Sequence, residues 1–401
     1  MSPFLQFAIA LVIVITAAKL GGYLSLKLGQ SSVLGELLAG LILGPSILDF
    51  LHWSPFTDKH LGDGISHLAE LGVLLLMFIA GLELHLSDLA KSGKVSAFVG
   101  VLGVLFPLGM GFGTMWLFGF SSETAIFTGL ILAATSVSIS AQTLMEMQVL
   151  RTRVGIGLLG AAVFDDILVV LGLSVFVALS LGTGGGVGAV AWIAVRMILY
   201  LLIATAVGMY FIPKVSHFVD NLPISQSLIA FTFVVTLFYA WASEVMGGMA
   251  AITGAFLAGL VFARSPLKER IEVGISPLAY GVFVPIFFVN VGLAANAREL
   301  TLDSAWLLLV ISVVAVVSKL LGGGIGAKLA GFTNRESIQL GAGLISRGEV
   351  GLIVASVGIS EGLIGSDIFA VIVGVVILTT LLTPMILRGL FANQLNSQTN
   401  P

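Results

Sequence analysis

The 401-residue chain contains no cysteine. Disulfides, thiol nucleophiles and zinc–thiolate sites are excluded by that absence. Charge is nearly as scarce. Asp, Glu, Lys and Arg make up 10% of the residues, where a soluble domain carries about 25%. The N-terminus, MSPFLQFAIALVIVITAAKL, lacks the basic n-region and small-residue cleavage site of a signal peptide. It is expected to be a first spanning helix. No metal-ligand cluster and no nucleophile–base pairing stands out, so an enzyme is not expected. The net charge of −3 carries no information about partners.

Hydrophobicity is what the chain has instead, at 58% of residues and a mean hydropathy of +1.11. Its apolar runs are too long for barrel strands of about 10 residues, so the expected class is an all-α polytopic membrane protein. The 49 glycines fit helices that pack closely or break. Thirteen apolar segments have spanning length, near 4–26, 33–50, 66–84, 94–118, 123–147, 154–180, 187–213, 224–243, 247–263, 276–295, 303–330, 335–360 and 366–390. They are called spans 1 to 13. LGTGGGVGA (181–189) reads as a flexible turn and QLNSQTNP as a frayed polar tail. Twelve Lys and Arg residues fall in one set of alternate loops, and only Lys59 and Arg298 in the other. Basic loops stay in the cytoplasm, which places the N-terminus outside and the C-terminus inside.

The chain also resembles itself. GELLAGLILGPS (35–46) is similar to GAFLAGLVFARS (254–265), and ISHLAELGV (65–73) to ISPLAYGVF (275–283). Spans 1–6 then match spans 8–13, with span 7 as a linker helix. Counterparts lie seven spans apart, an odd number, so the two six-helix repeats are inverted relative to each other. Inverted repeats are characteristic of secondary transporters.

Two spans in matching positions carry interruptions. Span 5 holds AATSVSISAQ (133–142), with Thr135, Ser136, Ser138 and Ser140 in a run. Span 12 holds GAGLISRGEVG (341–351), with four glycines around Arg347 and Glu349. Aligning Glu123 with Glu336 places Thr135 opposite Gly348 in the repeat. Two crossing broken helices at corresponding points mark a midplane binding site. Free carbonyls and half-helix C-termini there can coordinate a cation, and Arg347 and Glu349 can partly balance the helix dipoles. The competing account is that the glycines only allow close packing and the hydroxyls bond back to their own helix.

The segment GLLGAAVFDDILVVLGLSVFVALS (157–180) carries Asp165 and Asp166 near its middle. A charge at a bilayer centre costs about 3 kcal/mol on insertion scales. Adjacent helical residues point about 100° apart, so the two carboxylates can face different neighbours. Lys319 in AVVSKLLGGG of span 11 is a candidate partner, too deep to snorkel. A structural Asp–Lys pair is the competing reading, and it leaves one aspartate without an account. Two acids and a base beside broken helices make a site where a cation and protons compete. Exposed alternately to each side, such a site performs coupled antiport.

ATSVSISAQTLMEM, RTRVGIGLLGAAVFDDILVV, the lone Lys319 and LISRGEVGLI closely resemble the bacterial sodium/proton antiporters of the second family of monovalent cation:proton antiporters, paired-Asp type. The resemblance covers all thirteen spans. It implies a homodimer in the bacterial inner membrane. Residues 1–92 and 219–298 would form the dimerisation domain, and 93–183 and 299–391 an ion-carrying core that moves like an elevator. Residues 184–218 would be the linker and 392–401 a cytoplasmic tail. It implies Asp166 as main ligand of the transported Na⁺ or Li⁺. Asp165 would pair with Lys319 and release it on sodium binding, and Thr135 would lie near the ion. Arg347 and Glu349 would stabilise the second broken helix. Electrogenic exchange of two protons per sodium is implied, with no cofactor and no nucleic-acid partner. Potassium systems tend to carry Asn or Gln at the first Asp position and a cytoplasmic nucleotide-binding domain. Both departures favour sodium, with K⁺/H⁺ exchange as the alternative. A sodium-coupled organic-anion symporter is a more remote alternative.

The five histidines, His52, His60, His67, His85 and His217, read as solvated loop or helix-end residues. Glu36 near the start of span 2 reads as a dipole-favoured carboxylate. Lys19 and Arg196 lie near enough to helix ends to snorkel.

Overall fold

Helix starts are encoded locally as caps. In the computed structural model Ser2, Ser31 and Ser121 each accept a backbone N–H three residues on, and helices begin at Pro3, Ser32 and Ser122. Thr333 and Glu336 form a reciprocal capping box at the start of the helix Asn334–Gly343. The structure describes residues 1–54, 56–84, 92–180, 186–294, 298, 302–360 and 362–399; within these, the side chains of 174, 177–180, 186–187, 189–190, 302–304, 349, 353, 356–357, 360 and 393–399 are outside the description. His85, Lys91 and most of the 181–189 turn lie outside the described residues.

The described residues are helical and contain no strand. In chain order the α-helices are α1 (Pro3–Lys27), α2 (Ser32–Leu43), α3 (Leu61–Glu83), α4 (Gly93–Leu117), α5 (Ser122–Ala133), α6 (Val137–Glu146), α7 (Arg153–Ser180), α8 (Gly186–Asp220), α9 (Ser227–Ala242), α10 (Ala251–Phe262), α11 (Lys268–Leu278), α12 (Val284–Leu293), α13 (Leu302–Leu329), α14 (Asn334–Gly343), α15 (Glu349–Ser360) and α16 (Ser366–Thr399). Each of the thirteen apolar segments contains helix. Ten stretches of described residues are long and apolar enough to cross a membrane. The helices α2 and α10 have 12 residues each, about 18 Å at a 1.5 Å rise, well short of the roughly 30 Å hydrocarbon core. The apolar runs that suggested longer helices there continue into non-helical chain. The end of the chain differs from expectation too: α16 continues to Thr399, because no proline or glycine interrupts the backbone ladder after Gly389.

Packing follows the internal repeat. Under the match of spans, α2 corresponds to α10, α3 to α12, α4 to α13, α5 to α14 and α7 to α16. The contacts obey the same exchange: α2 packs on α12 and α10 on α3, α4 on α5 and α13 on α14, α4 on α7 and α13 on α16, while α4 and α13 pack on each other. The repeated GxxLAGL motif lies at these contacts. A Cβ on Gly35 would run into the Gly21 carbonyl of α1, and one on its counterpart Gly254 into the Tyr239 carbonyl of α9. Likewise Gly40 meets the Val289 carbonyl of α12, and Gly259 the Phe78 carbonyl of α3. Small residues let membrane helices approach backbone to backbone, where van der Waals contact replaces a missing hydrophobic drive.

The helices sort into two bundles. One holds α1–α3 and α9–α12; the other holds α4–α7 and α13–α16. The long helix α8 touches α7 of the second bundle and α9 and α10 of the first. In span 10, α11 contains Pro277 and is followed by the π segment Ala279–Phe283. A slipped ladder frees carbonyls, and Lys19 of α1 donates to one of them, Tyr280 O, at 2.7 Å.

Candidate ion-binding site

Span 5 breaks where α5 stops at Ala133 and α6 starts at Val137. Span 12 breaks where α14 stops at Gly343 and α15 starts at Glu349. The two breaks touch. Ser136 N–H donates to Ser346 O at 2.8 Å, Ser346 Oγ donates to Ser136 O at 2.6 Å, and Ser140 Oγ donates to Gly343 O at 2.5 Å. Unwound backbone groups buried in an apolar bundle need such partners. A Cβ on Gly348 would come within 2.6 Å of the Ser136 Cβ, so the crossing leaves no room for a side chain there. Ser136 is therefore the residue that meets the glycine-rich break.

Each half-helix that ends at a break points its carbonyls at a cation. Lys319 of α13 is fully buried, and its Nζ donates to Ala133 O, the end of α5, at 2.8 Å. Arg347 is 1% exposed, and its guanidinium donates to Leu344 O and Ile345 O just past the end of α14 and to Ala315 O of α13 at 3.0 Å. A positive charge at a helix C-terminus balances the dipole and the orphan carbonyls together. Two hydroxyls of α16 fix the Arg347 backbone: Arg347 N–H donates to Thr379 Oγ1 at 3.2 Å, and Thr380 Oγ1 donates to Arg347 O at 2.6 Å.

The two aspartates of α7 have different surroundings. Asp165 is fully buried within the second bundle. Its Oδ2 accepts from Lys319 Nζ at 2.8 Å and from Thr135 Oγ1 at 2.7 Å. Its Oδ1 has no hydrogen-bond partner among the described residues and faces Gly103 of α4, whose Cβ position lies 3.4 Å away. Asp166 is 6% exposed and turns to the seam between the bundles. Its Oδ2 accepts from Thr253 Oγ1 of α10 at 3.0 Å. It lines a cleft of about 10 Å³ with Met77, Val137, Ala162, Ile252 and Phe256. Space for a single water is about this size. A desiccated carboxylate at a seam can exchange a proton for a small cation, since either neutralises it.

A model of the family described as "Sodium/hydrogen exchanger, transmembrane" matches residues 11–392. The chain belongs to that sodium/hydrogen exchanger family. It is 39% identical over 385 residues to a protein named probable Na⁺/H⁺ antiporter GerT of Bacillus cereus, covering 96% of this chain and 99% of that protein. It is 37% identical to the Na⁺/H⁺-K⁺ antiporter GerN of the same organism, covering 96% of each. It is 35% identical to a Na⁺/H⁺ antiporter of Enterococcus hirae, covering 96% of this chain and 98% of that protein. Its fold matches the structure of the sodium proton antiporter MjNhaP1 from Methanocaldococcus jannaschii with a TM-score of 0.70 and 16% identity, over 98% of each chain. Members of the exchanger family are secondary transporters, cation/proton antiporters in multi-pass membrane form. They need no cofactor and are not enzymes.

Of the residues singled out from sequence, Asp165, Lys319 and Thr135 come together in one hydrogen-bonded cluster. Asp166 lies beside them in the chain but faces away from that cluster, toward Thr253. Arg347 holds the second break. The side chain of Glu349 lies outside the described residues. Sequence reasoning missed Thr253, Gly103 and the Thr379–Thr380 pair. Thr253 directly precedes the repeated GAFLAGL motif, and its counterpart Leu34 is apolar, so the repeat gave no signal.

Proposed function

We propose that this family member exchanges Na⁺ (or Li⁺) for H⁺ across the bacterial inner membrane, with Asp166 as the main cation ligand and Asp165–Lys319 as the coupling pair. The observation that carries the reading is the opposed placement of the two aspartates, one tied to Lys319 inside a bundle and one at the seam. The thirteen helical segments are thirteen crossings in two inverted repeats, with the N-terminus outside and the C-terminus cytoplasmic. Spans 1–3 and 8–10 form the dimerisation domain of a homodimer. Spans 4–6 and 11–13 are the mobile core, and span 7 links them. Sliding of the core along the other bundle exposes the Asp166 seam alternately to each side, an elevator-type cycle.

In that cycle sodium occupies Asp166 and draws Asp165 from Lys319, with Thr135 at hand for the ion. The exchange back loads protons onto Asp166 and Lys319. Two protons against one sodium move one net charge per turn, hence electrogenic transport. Arg347 and Glu349 keep the second broken helix rigid while the core moves. Potassium is the second reading for the ion, supported by the name of the GerN relative.

The test uses proteoliposomes with an imposed pH gradient, a pH dye, and Na⁺, Li⁺ and K⁺ added separately. Wild type is expected to dissipate the gradient with Na⁺ or Li⁺, faster when a membrane potential favours net charge movement, while Asp166→Asn stays at the level of empty liposomes. Dissipation by K⁺ alone would reassign the ion. Equal rates in wild type and Asp166→Asn would remove Asp166 from the mechanism.

A further inference from the structure

A second cavity has neither aspartate in its lining. It is a groove of about 280 Å³ on the outer flank of the helix pair α8–α9, and its lining is almost wholly apolar. Arg196 is the one charged residue in its lining, and the first along α8. Arg196 makes no ion pair among the described residues, and its Nε is buried without a hydrogen-bond partner. Room for its guanidinium comes from Gly248, which has φ +67° and whose Cβ, were there one, would sit 2.9 Å from the Arg196 Cζ. Any other residue at position 248 would be strained and would displace the charge.

The two helices that line the groove are bonded to each other. Tyr200 Oη donates to Tyr239 O at 3.0 Å, and Tyr239 Oη donates to Ala204 O at 2.9 Å, so two reciprocal bonds clip α8 to α9 along its floor. Its length also carries meaning. From Arg196 to Val207 the groove follows α8 for about 17 Å of helix, close to half of the roughly 30 Å hydrocarbon core. Trp192, one turn before Arg196, is 62% exposed, as an aromatic at headgroup level would be. The charge thus lies near the interface, and the apolar channel descends from it through one leaflet.

We propose that this groove binds one anionic phospholipid, its phosphate on Arg196 and an acyl chain along α8 and α9 toward Val207. The site lies in the leaflet at the N-terminal end of α8. A guanidinium recognises a phosphate through charge and a fork of N–H donors, and the apolar lining rewards a chain rather than a free anion. The bound lipid would cover the least buried of the ten membrane-length stretches, 17% of whose most apolar window is buried in the protein.

The test is native mass spectrometry of the full chain, delipidated in detergent and titrated with phosphatidylglycerol or phosphatidylcholine of identical chains. Wild type is expected to retain about one phosphatidylglycerol with about fivefold preference over phosphatidylcholine, the selectivity one interfacial Arg confers. Arg196→Gln should lose the preference, and Arg196→Lys should keep part of it. Ala204→Phe, which fills the channel while leaving Arg196 in place, should weaken retention of both lipids. No preference in wild type, or a preference that survives Arg196→Gln, overturns the proposal. So does efficient Leu199→Cys cross-linking between two chains in native membranes, because it would show a second copy on this face.

Discussion

Asp165 and Asp166 are chemically identical, adjacent on α7 and almost equally buried, yet their surroundings have little in common. Asp165 looks into its own bundle, where an ammonium and a hydroxyl share one of its oxygens. Asp166 looks across the seam to a threonine of the other bundle. The difference comes from about 100° of helix rotation. It teaches that a membrane protein can place two acidic residues side by side when helix rotation gives each its own surroundings. One is paired with a buried lysine, and the other sits at the boundary along which the bundles meet.

The sharpest way to break the comparison is to neutralise each carboxylate in turn. Asp166→Asn is expected to abolish cation-dependent proton movement in proteoliposomes while leaving thermal stability near wild type; residual transport above half of wild type would sink the assigned role. Asp165→Asn should do the reverse in part. It strands the Lys319 ammonium in a dry bundle, and breaking a buried pair from one side costs about 3–5 kcal/mol. Its thermal unfolding midpoint should drop clearly, and Asp165→Asn with Lys319→Met should recover most of the loss. The double variant lacks the lysine proposed to carry a proton, and is expected to transport without response to membrane potential. A response as steep as wild type would show that Lys319 carries no proton.

A pH series sharpens the contrast further. Under the proposed competition of protons and sodium at Asp166, the apparent KM for sodium should fall on the acid side by up to about tenfold per unit rise in pH, by mass action. A KM independent of pH would separate the two ions' sites. The smallest effects belong to the hydroxyls. Thr253→Ala removes one hydrogen bond to Asp166, worth about 1 kcal/mol net, and should change the sodium KM by about fivefold. Thr135→Ala should instead lower stability and blunt the voltage response, because its partner is Asp165. If both threonines shift only KM, the two carboxylates act as a single site.

Much of this was legible in the residue string. The helical class, the two interruptions and the need of a buried lysine for one of the two aspartates follow from strong local rules: apolar length, capping residues, and the cost of burying charge. The internal repeat was legible as letters and became physical only in the structure, where Gly40 and Gly259, and Gly35 and Gly254, prove to be the places where one helix backbone meets another. Other features left no mark. Lys319 was expected to answer a carboxylate, and its second bond to Ala133 O was not foreseen, because any residue has a carbonyl and only a helix that stops leaves it free. Thr253 lies 87 positions from Asp166, and a lone threonine in an apolar run is common.

The sequence by itself determined that this chain must be a bundle of membrane-length helices with two broken members and a buried charged cluster, because hydrophobic length and ionisation costs act residue by residue. Tertiary structure alone decided which aspartate faces the lysine and which faces the seam. It decided that Ser136 meets Ser346, and that Arg196 lines an apolar groove. Those outcomes depend on helix rotation and on contacts between distant segments, and both are set by the packing of the whole bundle.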